Sequence, residues 1–190
     1  MIAIVGKIAS GKTRILNYLK RKGHKVLDVD RFIVKLYKSK QFALLVSKTI
    51  NPKLVVNQKV DKSRIKIELT SQSKIWKIFE NLVHNVIFHH LETHYYHFVE
   101  IPILFKMPLR VGKLFNEIWY LKIDENTRRN YLKLKKIDPV ILPILENENN
   151  CDWERFGDFF NGIKLVNISM KKYVKIQKKL LYDCKCQINK

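Results

Sequence analysis

The chain has 190 residues, 46% of them hydrophobic, with 37 Lys and Arg against 17 Asp and Glu and a net charge of +20. That length suits one domain with a sizeable core, and no run of about 18 apolar residues is present to cross a membrane. The three cysteines, Cys151, Cys184 and Cys186, are an odd set without partner cysteines or a nearby histidine pair. Neither a disulfide framework nor a zinc site is expected from them.

The apolar run Ile2-Ala3-Ile4-Val5 predicts a buried first strand, and it leads into the most informative segment of the chain. Gly6-Lys7-Ile8-Ala9-Ser10-Gly11-Lys12-Thr13 fills the pattern G-x-x-x-x-G-K-[ST]. A nucleotide's β- and γ-phosphates need several backbone N–H groups aimed at one point, and glycines let the chain close that tightly. In such a loop Lys12 reaches the β- and γ-phosphate oxygens and the Thr13 hydroxyl can hold Mg²⁺. Ile15, Leu16 and Leu19 then share one helical face, and the positive end of that helix adds to the same phosphate site.

Gly23 ends this helix ahead of a second strand, Lys25-Val26-Leu27-Asp28. A continuous helical pattern is expected over 31–49, then a break at Asn51-Pro52 and a short strand-like Leu54-Val55-Val56. Ile75, Ile78, Phe79, Leu82, Val83, Val86 and Ile87 recur at three- and four-residue steps and predict a long amphipathic helix. Phe98 to Ile101 is the third strand of the main series and Glu117 to Ile123 the fourth, with Asp124 placed to cap a helix that begins near Glu125. Residues 133–155 are polar, with Pro139 and Pro143 as breakers, and predict a mobile surface segment. A fifth strand is expected at 163–166, and Ser169 is placed to cap a final helix. Alternating strands and helices imply an α/β fold with a parallel sheet and helices on both faces.

The positive charge raises the question of a nucleic-acid partner. The lysines are spread through nearly every segment, and only eight of the basic residues are arginines, the type suited to bidentate readout. This distribution argues against nucleic acid as a partner. Residues 1–5 lead into the phosphate loop and not into a cleavage site, so a cytoplasmic protein without a membrane partner is expected.

Two acids, Asp28 and Asp30, stand at the carboxyl end of the second strand, the end that opens into the ligand crevice of an α/β sheet. A carboxylate there can take the proton of an attacking hydroxyl. The competing reading is that Asp30 caps a helix starting at Arg31. Glu100 closes a hydrophobic strand and could hold Mg²⁺ directly or through water, or be a solvated strand-end acid. His84 lies among apolar neighbours on the long helix, where a packed residue competes with a ligand. His89, His90, His94 and His97 lack the spacing of a metal motif.

In chain order these features resemble the dephospho-coenzyme A kinase family. Besides the phosphate loop, Asp28-Val29-Asp30 resembles that family's D-A-D, and Val60-Asp61-Lys62-Ser63-Arg64 its D-R-x-x-L. Leu82-Val83-His84-Asn85 resembles L-x-H-P, Glu100-Ile101-Pro102-Ile103-Leu104-Phe105 resembles D-V-P-L-L-F-E, and Leu165-Val166-Asn167 resembles the late V-I-x-N. The departures are Lys106 for a Glu, Asn85 for a Pro and Lys62 for an Arg.

The resemblance implies a single P-loop kinase-type domain over 1–190. Its five-stranded parallel sheet would carry a helical acceptor-binding region at about 31–97 and a lid at about 125–157. It further implies phosphorylation of the ribose 3′-hydroxyl of dephospho-CoA by ATP, with Mg²⁺, in the last step of CoA biosynthesis. In that reading Asp30 is the general base, Lys12 and Thr13 hold the phosphates and Mg²⁺, and Glu100 is the second metal ligand. Gly6, Lys7, Ile8, Ala9, Ser10 and Gly11 cradle ATP, with Asn167 near the adenine. Asp28, Lys62, His84 and Phe105 line the acceptor side. Arg129 is the first lid arginine to place over the phosphates and Arg155 the second, and the protein acts as a monomer or weak homo-oligomer.

Shikimate or nucleotide kinase-like enzymes share the D-x-D placement, and a nucleic-acid-associated ATPase would use the net charge. A regulatory GTPase is excluded by the lack of an N-K-x-D reader and a D-x-x-G switch.

Overall fold

The structure, a computed structural model, describes residues 1–101, 104–106, 113–135, 137–138, 140–148, 150–153 and 163–169. Its first strand, β1 (Ile2–Val5), has Ala3, Ile4 and Val5 without solvent exposure, as its uninterrupted apolar run requires. The chain then forms α1 (Lys12–Arg21), β2 (Val26–Asp28), α2 (Val29–Tyr37) and α3 (Lys40–Thr49). A hairpin of β3 (Val55–Val56) and β4 (Lys59–Val60) leads to α4 (Lys62–Thr70) and α5 (Lys74–Thr93). β5 (Phe98–Glu100), β6 (Glu117–Leu121), α6 (Glu125–Leu134), α7 (Ile141–Glu148) and β7 (Lys164–Ile168) complete the described part. Among these helices none is long and apolar enough to cross a membrane.

Five strands form one sheet in the order β2-β5-β1-β6-β7, and every pairing in it is parallel. The expected α/β architecture is therefore present, with the phosphate loop hanging from the central strand. Helices cover both faces. On one, Ile15, Leu16 and Leu19 of α1 pack with Ile4, Phe98, Leu121 and Ile168. On the other, Phe79, Val83, Ile87 and Leu91 of α5 pack with Ala3, Val5, Val99 and Ile118. Each large apolar side chain buried in this way contributes roughly 1.5–3 kcal/mol.

Three local expectations are corrected. The pattern over 31–49 is two helices, because Ser39 interrupts it and its Oγ accepts from Phe42 N at 3.4 Å to start α3. The short strand at 55–56 has a partner, β4, through a turn in which Asn57 and Gln58 both have positive φ, the signature of a primed hairpin turn. The polar stretch after α6 contains a helix, α7. Pro143 sits in its first turn, where a missing N–H leaves no helical hydrogen bond unmade. The final helix expected after Ser169 lies outside the described residues.

Candidate active site

Gly6 leaves β1 with φ 145°, and a Cβ there would stand 2.9 Å from Ser10 Oγ and 3.0 Å from the Leu121 carbonyl oxygen. No side chain fits that close approach of two backbone segments. Ala9 adopts φ 64° and Gly11, the N-cap of α1, φ 92°, so the chain curls tightly between strand and helix. Inside the curl the buried Lys12 donates from Nζ to the Gly6 and Lys7 carbonyls at 2.9 and 3.0 Å. Burial pulls this lysine below its ordinary range, while Glu100 and Asp30 pull it back up.

The two acids after β2 have separate roles in the fold. Helix α2 begins at Val29, not Arg31, so Asp28 is its N-cap: Oδ1 accepts from Arg31 N at 2.9 Å, and Oδ2 pairs with Arg31 Nε at 3.2 Å. Asp30, in the first turn of that helix, is released from capping and faces a cavity shared with Lys12. Burial raises its pKa, and the Lys12 charge partly restores its acidity.

Glu100 lies opposite Asp28 in the β2/β5 register and is 3% exposed. Thr13 Oγ1 donates to its Oε1 at 3.4 Å, whereas the buried Oε2 has no donor among the described residues. Burial lifts this carboxyl to about 7, with the nearby Asp28 and Asp30 charges adding to the rise and Lys12 opposing it. An orphaned carboxylate oxygen beside a threonine hydroxyl and a phosphate loop is a donor set that fits a hard divalent cation.

These groups close one end of a cavity of about 420 Å³. Tyr37, Trp76 and Phe79 form an aromatic wall, and burial raises the Tyr37 hydroxyl pKa well above its ordinary value. His84 lines the same space, buried, with an Nε2 that has no partner among the described residues. Burial lowers its pKa, which favours the neutral imidazole. Lys106 pairs with Glu80 at 3.3 Å on the same lining. A second cavity, about 430 Å³, opens along Gly11, Lys12 and Thr13 beneath α6.

The fold thus gathers Ile8, Ala9, Lys12, Thr13, Asp30, His84 and Glu100 around one space. Other residues named from sequence line neither cavity. Lys62 is exposed in the first turn of α4. Phe105 lies in a short 3-10 turn against Trp153, ring centroids 6.0 Å apart. Asn167 is on β7, in register with Tyr120. Arg129 is 70% exposed and 3.9 Å from Glu125, while Arg155 lies outside the described residues. It is Arg128 that turns inward: Nη1 reaches Glu146 at 2.7 Å and the Ile8 carbonyl at 3.5 Å, and Nε and Nη2 hold Glu125. Sequence reasoning missed Tyr37, Trp76, Glu80 and Lys135. Trp76 and Glu80 could have been found from the long helix, since positions 76, 80, 83 and 84 recur at helical steps.

A family model described as dephospho-CoA kinase matches residues 1–134, which include the phosphate loop, Asp30, His84 and Glu100. The chain belongs to the dephospho-CoA kinase family. Among proteins named dephospho-CoA kinase, that of Wolbachia pipientis wMel is 28% identical over 92 residues, covering 48% of this chain and 47% of its own. That of Streptococcus mutans serotype c is 29% identical over 146 residues, covering 70% and 71%. With the Wolbachia relative, and with one from Bartonella quintana, the chain spans about half the length of the protein it matches. A crystal structure of a Thermus thermophilus protein shares the fold with a TM-score of 0.66 at 19% identity, covering 96% of both chains. Dephospho-CoA kinase from Campylobacter jejuni gives 0.55 at 18% identity, covering 94% of this chain and 96% of its own.

Proposed function

We propose that this dephospho-CoA kinase family member transfers the γ-phosphoryl group of ATP to the ribose 3′-hydroxyl of dephospho-CoA, yielding coenzyme A and ADP. The observation that carries the reading is the meeting of Lys12 and Asp30 in one cavity whose far wall is aromatic. A charged phosphate end, a carboxylate in reach of an acceptor hydroxyl, and an apolar surface for the rest of a large acceptor are what this reaction requires.

Lys12 trades its bonds to the Gly6 and Lys7 carbonyls for the β- and γ-phosphate oxygens, with residues 6–11 supplying backbone N–H groups. Asp30 accepts the proton of the 3′-hydroxyl as that oxygen attacks. A carboxylate of raised pKa is a stronger base for this step than an ordinary aspartate. Asp28 keeps Asp30 in place by capping α2, and adds negative charge beside it. His84 presents its unpartnered Nε2 to the acceptor, and Tyr37, Trp76 and Phe79 exclude water around it. Thr13 and Glu100 would hold Mg²⁺, which supplies charge neutralisation on the phosphates.

Residues at about 31–97 serve as the acceptor-binding region and those at about 125–157 as the lid, within a single domain. Arg128, already at the Ile8 carbonyl, is the lid arginine positioned to hold the phosphate loop. A cytoplasmic setting, as a monomer or weak homo-oligomer, accords with this reading. The test is purified protein with Mg·ATP and dephospho-CoA, followed for ADP and coenzyme A. Stoichiometric formation of both is expected. Turnover with shikimate or a nucleoside monophosphate but none with dephospho-CoA would overturn the assignment.

A further inference from the structure

Lys135 closes α6 as its C-cap, its backbone N–H bonded to the Tyr131 and Leu132 carbonyls at 3.1 Å. Lys135, though exposed, lines the aromatic-walled cavity beside Lys12 and Asp30 and also the second cavity beside Gly11 and Thr13. Both spaces meet at the phosphate loop. Its charge is felt by both working groups, opposing protonation of Lys12 and favouring ionised Asp30. Among the described residues, no acid pairs with it.

The arginines of α6 are differently committed. Arg128 is held by Glu125 and Glu146, and Arg129 points to solvent on the Glu125 side. An in-line transfer needs a cation over the three equatorial oxygens of the phosphoryl group at the moment when charge spreads across them. Of these three cations, Lys135, just past the end of α6, is the one that lines both cavities.

We propose that Lys135 is a catalytic residue that contacts the phosphoryl group in flight, filling with an ammonium the place of a lid arginine. The proposal rests on the phosphoryl-transfer reading above. In the step it assists, a bond forms between the acceptor oxygen and the γ-phosphorus while the bond from that phosphorus to the β–γ bridging oxygen breaks. The hydroxyl proton passes to Asp30, and the electron pair of the broken bond leaves with ADP. Lys135 changes neither balance; it neutralises the equatorial oxygens throughout. An ammonium on a flexible stem offers three rotatable donors, which suits a charge that is spread rather than fixed in a plane.

Two measurements on the full chain test this. Lys135→Ala is expected to lower kcat roughly 100-fold with little change in the KM for ATP, and Lys135→Arg to recover most of the loss. Lys133→Ala, an exposed neighbour on the same turn, is expected to behave as wild type. Titration with ADP, Mg²⁺ and tetrafluoroaluminate, compared with ADP and Mg²⁺ alone, isolates the contact without any acceptor. Wild type is expected to gain at least tenfold in affinity from the fluoroaluminate, and Lys135→Ala to lose that gain while keeping its ADP affinity. An undiminished gain in the variant, or none in wild type, overturns the proposal. Loss of the gain alongside no turnover of dephospho-CoA by wild type would leave Lys135 in its role and reject the acceptor assignment.

Discussion

Thr13 Oγ1 donates to Glu100 Oε1 at 3.4 Å, which joins the last residue of the phosphate loop to the carboxyl end of β5. In the proposed reading this hydroxyl and this carboxylate are the groups that would hold Mg²⁺. Glu100→Gln keeps the size and the hydrogen bond but removes the charge. Its kcat is expected to fall about 10–100-fold with a raised Mg²⁺ requirement, while ATP binding measured without metal stays near wild type. Unchanged magnesium dependence would remove Glu100 from the metal site.

Glu100 also makes a prediction about stability. Burial pushes its carboxyl up to about 7 from an ordinary 4.5, so folding favours the protonated form. The stabilisation this provides is complete below about pH 4.5 and is lost as pH rises through about 7, roughly 3 kcal/mol in all. Thermal melts of the ligand-free protein should therefore decline from pH 5 to pH 8, and Glu100→Gln should flatten that slope. A wild-type protein equally stable at both ends would contradict it.

Asp30 is free of capping because Asp28 is the N-cap of α2, and we propose it as the base. Asp30→Asn should lower kcat by about 100-fold or more with ATP affinity largely intact. Asp28→Asn, which retains a capping side chain, should cost far less in turnover. Steady-state kinetics on the two variants separate base from cap, and equal losses would deny the division of labour.

The turn at Gly6 has no room to spare. Gly6→Ala drives a Cβ toward the Leu121 carbonyl at 3.0 Å, in a backbone region that disfavours side chains, and should cost about 1–3 kcal/mol along with nucleotide binding. Gly11→Ala meets no atom within 4 Å and should suffer only the milder strain of its φ. Isothermal titration with ATP, paired with thermal melts, checks the order.

Arg128 and Arg129 are adjacent but unequal. Arg128→Ala breaks the tie between α6, α7 and the Ile8 carbonyl and should lower the melting temperature by about 2–4 °C, a loss near 1 kcal/mol. Arg129→Ala should leave it unchanged. A reversed order would mean that the inward arginine is misassigned.

Much of the candidate site's phosphate-loop end was legible in the sequence because its pattern is local. The phosphate loop needs consecutive residues, and the acids at 28 and 30 are fixed by the end of a short strand that follows a glycine-ended helix. What escaped depends on contacts across the fold. Nothing in the neighbourhood of Tyr37 or Lys135 tells that both line the cavity beside the loop; that comes from where α2 and α6 run. The capping role passed from Asp30 to Asp28 because α2 starts two residues earlier than its periodicity implied. Arg128 and Arg129 are a pair that sequence cannot rank, since one helical step of about 100° separates the side facing the loop from the side facing water.

Strand β1 has a hydrogen-bonded neighbour on each flank, β5 and β6. The anchor of the nucleotide cradle can therefore come loose only when the whole sheet opens, so amides at positions 3–5 belong to the slowest exchanging set in the molecule. Loss of binding competence and global denaturation should consequently coincide on heating, with no intermediate that is folded yet unable to hold a triphosphate.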